Sequence, residues 1–215
     1  MGVLVMVIGR SGAGKSTSLR NFEPDEVGIF SCAGKRLPFR KRLAVANTSD
    51  YAVIGAALQR NARRAYVIDD STYLMQLDAF RYAKVKGYDK FVDLAVNFEH
   101  LLECARLTSQ DTIVYMLHHP QFADDGTAKP QTVGRMLDNQ LCVEGLFPIV
   151  IEARVKDGEH VFVTTNDGTN IAKAPVDVET GERMLPEVMP NDLKAVDTKI
   201  REFWGMAPIT DREEQ

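Results

Sequence analysis

The chain has 215 residues, of which 45% are hydrophobic and 26% charged, and its formal net charge is −4. This size and composition predict a single α/β domain over residues 1–215. The negative net charge is not that of a nucleic-acid-binding protein that is basic overall, so any contact with nucleic acid would need a local basic patch. Its three cysteines, Cys32, Cys104 and Cys142, are far apart in apolar runs, which predicts buried free thiols in a reducing, cytoplasmic compartment.

The first predicted element is a buried strand at Val3–Ile8, because a continuous, β-branched-rich run is typical of a parallel strand covered on both faces. The run is too short to cross a membrane or to form a signal sequence, so we expect no membrane partner. A glycine-rich segment, residues 9–16, follows at once, and a helix is predicted from Lys15 onward. Strand, glycine-rich loop and helix are the context that a phosphate-binding loop requires.

The glycine-rich segment has the residue types that bind nucleotide phosphates. Glycines allow the main chain to wrap a phosphate with its N–H groups turned inward. Lys15 is predicted to bridge the β- and γ-phosphates and Ser16 to bind Mg²⁺, with the helix N-terminus towards the phosphates. We therefore expect ATP, or a similar nucleotide, with Mg²⁺; the alternative is a glycine-rich turn without a ligand. The predicted nucleotide-binding residues are Gly9, Arg10, Ser11, Gly12, Ala13, Gly14, Lys15, Ser16 and Thr17.

Three elements are predicted next: a strand at 27–32, a short edge strand at 43–46, and a helix to about residue 62 capped by Thr48 or Ser49. Between the two strands, residues 35–42 carry many positive charges and a proline, which predicts an exposed loop. This basic loop could follow a nucleic-acid backbone, contact an acidic face of another subunit, or simply be solvated. Its cationic residues are Lys35, Arg36, Arg40, Lys41 and Arg42.

Two aspartates end the third predicted strand, residues 65–68. A carboxylate at the carboxyl end of a neighbouring strand is what a magnesium nucleotide site requires, so Asp69 is predicted to hold the coordination shell of Mg²⁺. Asp70 is either the residue that activates water or the cap of a helix predicted at 73–84, and the sequence leaves both roles open.

A long amphipathic helix at 89–107 and a fourth strand at 112–117 follow. His118 ends this strand and is a candidate catalytic residue, because histidine can donate to a γ-phosphate or orient water. The alternative is a histidine at a strand end whose ring nitrogens form hydrogen bonds with the main chain and have no catalytic role.

The last third of the chain is predicted to form a polar loop, a helix, a β-hairpin and a final helix capped by Asn191 or Asp192. The complete pattern predicts a three-layer α/β sandwich with a mostly parallel sheet and a late antiparallel hairpin. The spans are 121–131 for the loop, 132–144 for the helix, 148–155 and 160–165 for the hairpin strands, and a helix that ends at Gly205.

The order of these motifs resembles the RecA-like P-loop ATPases, most closely the small phage-encoded members of AAA type, including the Sak-type ATPases of single-strand annealing and recombination. Only the phosphate-loop motif and the aspartate strand are specific; the other segments count by order and spacing. The resemblance implies a RecA-like fold and Mg²⁺-dependent ATPase activity in phage-type DNA recombination, annealing or replication. The segments that carry it are 9–16, 35–39, 66–71, 114–118, 132–134, 165–168 and Ala172-Lys173.

The resemblance also implies partners and further site residues. Single-stranded DNA would contact residues 121–131, with Phe122 stacking on a base and Lys129 contacting a phosphate, and a single-strand binding protein would be a second partner. The alternative for these residues is a disordered loop that responds to the nucleotide. In a homo-oligomeric ring or filament, Lys173 would act on the ATP of a neighbouring subunit, with Arg135 and Arg154 as alternatives. The chain departs from the family at Gly34, where a water-activating glutamate is common.

Two other functions fit the same motifs. A small-molecule or nucleotide kinase would need an arginine-rich lid, and the arginines do not group into one. A non-hydrolysing ATP-dependent assembly or DNA-packaging factor agrees with the missing glutamate. A GTPase is disfavoured because no Asn-Lys-x-Asp motif occurs.

Overall fold

The computed structural model describes residues 1–87, 89–123, 126–134, 137 and 141–210. In this part of the chain the fold is α/β, with one large mixed sheet and one small antiparallel sheet. In chain order the elements are β1 (Val3–Ile8), a 3-10 helix (Ser16–Asn21), β2 (Val27–Ser31), β3 (Val45–Asn47), α1 (Tyr51–Arg60), β4 (Ala65–Asp69), α2 (Thr72–Arg81), α3 (Asp89–Arg106), β5 (Ile113–His118), β6 (Pro120–Phe122), β7 (Ala128–Pro130), a second 3-10 helix (Val143–Leu146), β8 (Ile149–Lys156), β9 (Glu159–Val163), β10 (Val188–Pro190) and α4 (Leu193–Trp204).

The large sheet has the strand order β10-β9-β8-β1-β5-β4-β2-β3. Neighbours from β8 to β3 are parallel, whereas β9 and β10 are antiparallel, as the predicted late hairpin requires. In this register Ile8 pairs with His118, and Ser31 pairs with Asp69. The segments that follow β1, β2, β4 and β5 therefore leave the sheet at one edge.

Helices cover both faces of the large sheet. The helices α1, α2 and α3 pack on the face formed by side chains such as Met6 and Met116, while α4 and the first 3-10 helix cover the face of Val7 and Tyr115. Strands in the middle of the sheet are almost wholly inaccessible to solvent, which explains why their sequences are continuously apolar. The arrangement is compatible with a three-layer sandwich and confirms the predicted α/β class with a mostly parallel sheet.

The late hairpin and the final helix form as their sequences predict. Asp157 and Gly158 have φ of 52° and 84°, so both residues of the hairpin turn adopt left-handed conformations. The Asp192 carboxylate accepts hydrogen bonds from the amides of Lys194 and Ala195, which settles the choice of cap for α4 in favour of Asp192 over Asn191. None of the described helices is long and apolar enough to span a bilayer.

One prediction about the first half of the chain is refined and one is wrong. The predicted helix after the glycine-rich loop is a six-residue 3-10 helix, which ends at Asn21 because Phe22 is already extended and Pro24 disfavours helical geometry in the residue before it. Neither Thr48 nor Ser49 caps α1; Asp50 does, accepting from the amide of Ala52 at 2.8 Å. All three residue types are good caps, so only the point where the chain turns helical decides between them.

Three predictions about the second half need correction. The predicted loop at 121–131 is largely the antiparallel pair β6 and β7, although residues 124 and 125 lie outside the described residues. The predicted helix at 132–144 also falls partly outside them: residues 132–134 are not helical, residue 137 is helical, and a 3-10 helix begins at Val143. Cys142 is exposed rather than buried, because it precedes a surface 3-10 helix as its N-cap.

Candidate phosphate and magnesium site

The glycine-rich loop leaves β1 with the main-chain geometry that its glycines predict. Gly12 has φ of 81° and Gly14 φ of 95°, conformations that side chains oppose. At Gly14 a Cβ atom would also lie 3.0 Å from His160 Nδ1 and 3.1 Å from Asn191 Nδ2, so a side chain at this position would have to push both groups aside. At Gly9 a Cβ would lie 2.8 Å from the Ala153 carbonyl oxygen of β8. The glycines are therefore required by the fold as well as by any ligand.

The amides of this loop are available to an anion. Within the described residues, those of Gly12, Gly14, Lys15 and Ser16 donate to no protein acceptor. Gly14 and Lys15 are buried, and buried main-chain N–H groups without a partner are rare in folded proteins. The amides of Gly14, Lys15 and Ser16 are consecutive, and successive donors of this kind are the arrangement that binds a phosphate.

The Lys15 side chain is 5% exposed and lies inside the loop. Its Nζ donates to the main-chain oxygens of Gly9 at 2.6 Å and Arg10 at 3.2 Å, and lies 3.4 Å from His119 Nδ1. Burial lowers the pKa of Lys15 to about 8, and the nearby Asp70 and Asp69 carboxylates only partly oppose that shift. A desolvated ammonium group held by two carbonyls gains strongly from an anion placed beside it.

Ser16 and Asp69 join the end of the loop to the end of β4. Ser16 Oγ donates to Asp69 Oδ1 at 2.8 Å. The Asp69 carboxylate is 4% exposed, and burial raises its pKa, an effect that the Ser16 hydrogen bond partly opposes. A hydroxyl and a carboxylate are oxygen ligands of the kind Mg²⁺ uses. Among the described residues no cluster of three or more His, Cys, Asp or Glu could hold a metal alone, so phosphate oxygens and water would complete the magnesium shell.

Asp70 has a strained main chain and two cationic or donor partners. Its φ is 57°, a left-handed value uncommon outside glycine. Lys35 Nζ donates to Oδ2 at 2.9 Å, and His119 Nε2 lies 3.1 Å from Oδ1. Burial acts to raise the pKa of Asp70, but the hydrogen bonds from His119 and Lys35 outweigh it and lower the pKa to about 2. No side chain caps α2, so the structure does not support the helix-cap alternative for Asp70.

His118 and His119 point to different places. The His118 ring is wholly buried on the α3 face, with Nδ1 2.8 Å from Ser71 Oγ and Nε2 2.8 Å from the Gln131 carbonyl oxygen. Burial lowers the pKa of His118 to about 4, so the ring is neutral. Its nitrogens bond to those two groups rather than to Lys15 or Asp70. Instead it is His119, which the sequence interpretation missed, that lies between Lys15 and Asp70.

Strand periodicity gives the signal that separates the two histidines. Val114 and Met116 belong to the core on the α3 face, and alternation along β5 places His118 on the same face. The chain turns after β5, and His119 is then free to approach the neighbouring Asp70. An explicit test of alternation along this strand would have favoured His119 as the site residue.

The basic loop follows β2 and lines a groove of about 470 Å³. Lys35 pairs with Asp70 at 2.9 Å, and Lys41 pairs with Glu23 at 2.6 Å. The remaining cations of the loop, Arg36, Arg40 and Arg42, are exposed. Gly34, with φ of 65°, occupies the position where a glutamate is common in the family that the chain resembles. The residue after it is Lys35, whose side chain pairs with Asp70.

The β6–β7 hairpin lies against the glycine-rich loop. Phe122 is 47% exposed, and the Arg10 guanidinium lies 4.5 Å from the centre of its ring. Lys129 is on the other strand, partly buried and opposite Gln121. This contact joins a predicted phosphate-loop residue to a predicted DNA-contacting residue, which the sequence did not indicate.

Of the predicted residues of the late segment, Arg154 lies close to this cluster, because it lines a cavity of about 460 Å³ together with residues 9–13 of the glycine-rich loop. Lys173 is exposed, and its main chain bridges to Val150 of β8 in both directions at 2.8 Å. Arg154 pairs with Glu152 at 2.8 Å. Arg135 lies outside the described residues. No protein-family model matches the chain, and no curated protein matches it significantly, so the assignment of the site rests on these contacts.

Proposed function

We propose that the protein binds Mg²⁺·ATP at this cluster and hydrolyses it, as a RecA-like P-loop ATPase. The observation that carries the proposal is the Ser16–Asp69 hydrogen bond of 2.8 Å, formed beside a buried Lys15 in a loop with unpaired amides. The strand order supports it, since β5 lies between the strand that precedes the loop and the strand that ends in Asp69. That insertion is the arrangement of the ATPases that the motif order resembles.

In the proposed reaction Lys15 neutralises the β- and γ-phosphates, and the loop amides hold the phosphate oxygens. Mg²⁺, when bound, would be held by Ser16 and Asp69 and would offset charge on the phosphates. Water attacks the γ-phosphorus, its proton passes to Asp70, and the bond to the bridging oxygen breaks to give ADP and phosphate. Because the pKa of Asp70 is about 2 in the free protein, it is a weak proton acceptor, and we expect slow turnover.

The pH dependence of nucleotide binding tests the role of Lys15. The pKa of Lys15 is about 8 in the free protein, and phosphates beside it would raise that pKa. Above pH 8 the lysine must therefore take up a proton when nucleotide binds, and affinity should fall by up to about tenfold per pH unit. Calorimetry from pH 7 to 9.5 in buffers of different ionisation enthalpy would measure both the affinity and the proton uptake. Constant affinity with no proton uptake would contradict a contact between Lys15 and the phosphates.

Single-stranded DNA is the partner that we propose, in phage-type recombination, annealing or replication. The exposed arginines of the basic loop and the half-exposed Phe122 lie on segments that leave the same sheet edge as the phosphate site. Cations and an aromatic ring are the groups that bind single strands. A single-strand binding protein as a further partner, and a ring or filament in which Lys173 acts on a neighbour's ATP, remain parts of this proposal.

Single-stranded DNA should raise the rate of phosphate release, and a charge-reversed loop should lose that response. The variant Arg36→Glu/Arg40→Glu/Arg42→Glu changes only exposed cations without ion pairs in the described structure. DNA affinity of the parent should fall steeply with salt, because these residues act by counterion release. The measurement is phosphate release with and without an oligonucleotide, with fluorescence anisotropy at two salt concentrations.

The matched control for this variant is Arg60→Glu/Lys84→Glu/Lys86→Glu, which makes the same change of net charge at exposed positions away from the groove. It should keep DNA binding and stimulation. If the parent shows no DNA binding at low salt and no stimulation, the DNA part of the proposal is wrong, while ATP binding stands.

A kinase is the second candidate because a cavity of about 330 Å³ lies beside the proposed γ-phosphate position. Its walls include Arg10, Tyr73, Gln76 and His119, which would suit a small polar phosphate acceptor. Phosphate release in the absence of any acceptor supports the ATPase. Tight Mg²⁺·ATP binding without turnover would favour the non-hydrolysing assembly or packaging factor instead.

A further inference from the structure

Asn191 is a buried residue whose side chain has no hydrogen-bond partner among the described residues. It is 3% exposed, and neither Oδ1 nor Nδ2 forms a hydrogen bond within the described chain. Its main chain, in contrast, is fixed on both sides: the amide donates to the His160 carbonyl oxygen at 3.3 Å, and its carbonyl oxygen accepts from Arg20 Nη1 at 2.6 Å. Buried amides normally have partners, so this one calls for an explanation.

The unpaired amide lies against the glycine-rich loop. A Cβ atom at Gly14 would be 3.1 Å from Asn191 Nδ2 and 3.2 Å from Oδ1, and 3.0 Å from Nδ1 of the exposed His160. Arg20 connects the same corner to the 3-10 helix, because it also donates to the Thr17 carbonyl oxygen at 3.2 Å. The side chain is therefore close to the loop that would hold the phosphates.

This corner is on the side of the loop opposite Asp69 and Asp70. Asn191 follows β10, beyond β8 and β9 on one side of β1, whereas the two aspartates end β4 on the other side. If the γ-phosphate lies at the aspartates, the rest of the nucleotide extends away from them. The corner formed by Asn191 and His160 is then at the nucleoside end of the site.

We propose that Asn191 recognises the adenine base of the nucleotide, an inference that rests on the proposed function. A carboxamide offers one donor and one acceptor side by side, which complements N7 and the N6 amino group of adenine. Guanine presents two acceptors on the same edge and leaves the Asn191 oxygen opposite another oxygen. Because Asn191 is 3% exposed in the free protein, a neighbouring side chain has to move before the base can reach it, and the exposed His160, which also lies beside Gly14, is placed to do so. The site therefore selects adenine.

The test compares the binding of Mg²⁺·ATP, Mg²⁺·GTP and Mg²⁺·tripolyphosphate by calorimetry. The parent should bind ATP about tenfold or more tightly than GTP, the discrimination expected of one paired donor and acceptor. Asn191→Leu should bind ATP and GTP equally and still bind tripolyphosphate. Its Tm should not fall, because the amide that it removes forms no hydrogen bond with the part of the chain that the structure describes.

Asn170→Leu is the matched control, since Asn170 is 2% exposed but its amide bonds to Asp167 Oδ1 and the Ala172 amide, both at 2.7 Å. This variant should have a lower Tm and an unchanged ATP-to-GTP ratio. Equal ATP and GTP affinity in a parent that binds tripolyphosphate would overturn the inference and leave the proposed function standing. An Asn191→Leu variant that loses Tm but keeps the ratio would also overturn it. A parent that binds none of the three ligands would overturn both.

Discussion

Replacing Lys15 by alanine should abolish tight binding of Mg²⁺·ATP and leave the protein folded. The ammonium group is the cation that the loop places among its unpaired amides, in a position that is 5% exposed. Removing one partner of a buried, hydrogen-bonded charge pair weakens binding by about 100-fold or more. Folding should not suffer, because the Lys15 ammonium bonds to the Gly9 and Arg10 oxygens and weakly to His119 Nδ1, and burial lowers its pKa, which reflects an unfavourable desolvation.

Calorimetry with Mg²⁺·ATP measures the effect, and circular dichroism with a thermal melt checks the fold. Lys86→Ala is the matched control: it removes the same charge at an exposed position after α2 and should bind ATP as the parent does. If Lys15→Ala binds Mg²⁺·ATP as tightly as the parent, the glycine-rich loop is not the phosphate site, and the proposed function is wrong.

Asp70→Asn should reduce phosphate release by about 100-fold or more while affinity for Mg²⁺·ATP changes little. The amide has the shape of the carboxylate but does not accept the proton of the attacking water, and general-base catalysis contributes about 10²–10⁴-fold. Asparagine also tolerates the left-handed main chain at this residue, where φ is 57°. A loss of activity therefore reports on the carboxylate rather than on a distorted turn.

Asp78→Asn provides the control for burial and charge. Asp78 is 6% exposed, as Asp70 is, and pairs with Arg81 at 2.6 Å on α2. This change should leave the rate of phosphate release unchanged even if it lowers the Tm. Full activity of Asp70→Asn in single-turnover measurements would exclude Asp70 as the base and direct attention to His119.

Much of the fold is predictable because it depends on local patterns. The short, β-branched-rich apolar run at Val3–Ile8 is typical of a buried strand, and α3 and α4 have long stripes of helical period. Lys15, Ser16 and Asp69 follow strand ends that the sequence already marks. The predicted pairing of loop and aspartate strand needed only the rule that parallel strands end at one edge.

The remaining site residues depend on contacts that no local pattern contains. The sequence predicts Lys35 only as one cation of an exposed basic loop, yet its Nζ lies 2.9 Å from Asp70 across the sheet edge. The sequence offers both Asn191 and Asp192 as the cap of the last helix. Only the structure shows that Asp192 is the cap and that the Asn191 side chain lies beside Gly14. The β6–β7 pair is similarly hidden, since short strands rich in proline and polar residues resemble loops.

The two outer strands of the large sheet limit how copies of this chain could associate. Both β3 and β10 are three residues long, and β10 ends in Pro190, which has no N–H to donate. Short edges with proline oppose the addition of a strand from another molecule. A polymer of this protein would therefore be held together by side-chain surfaces, which can separate and re-form, and not by a continuous intermolecular sheet.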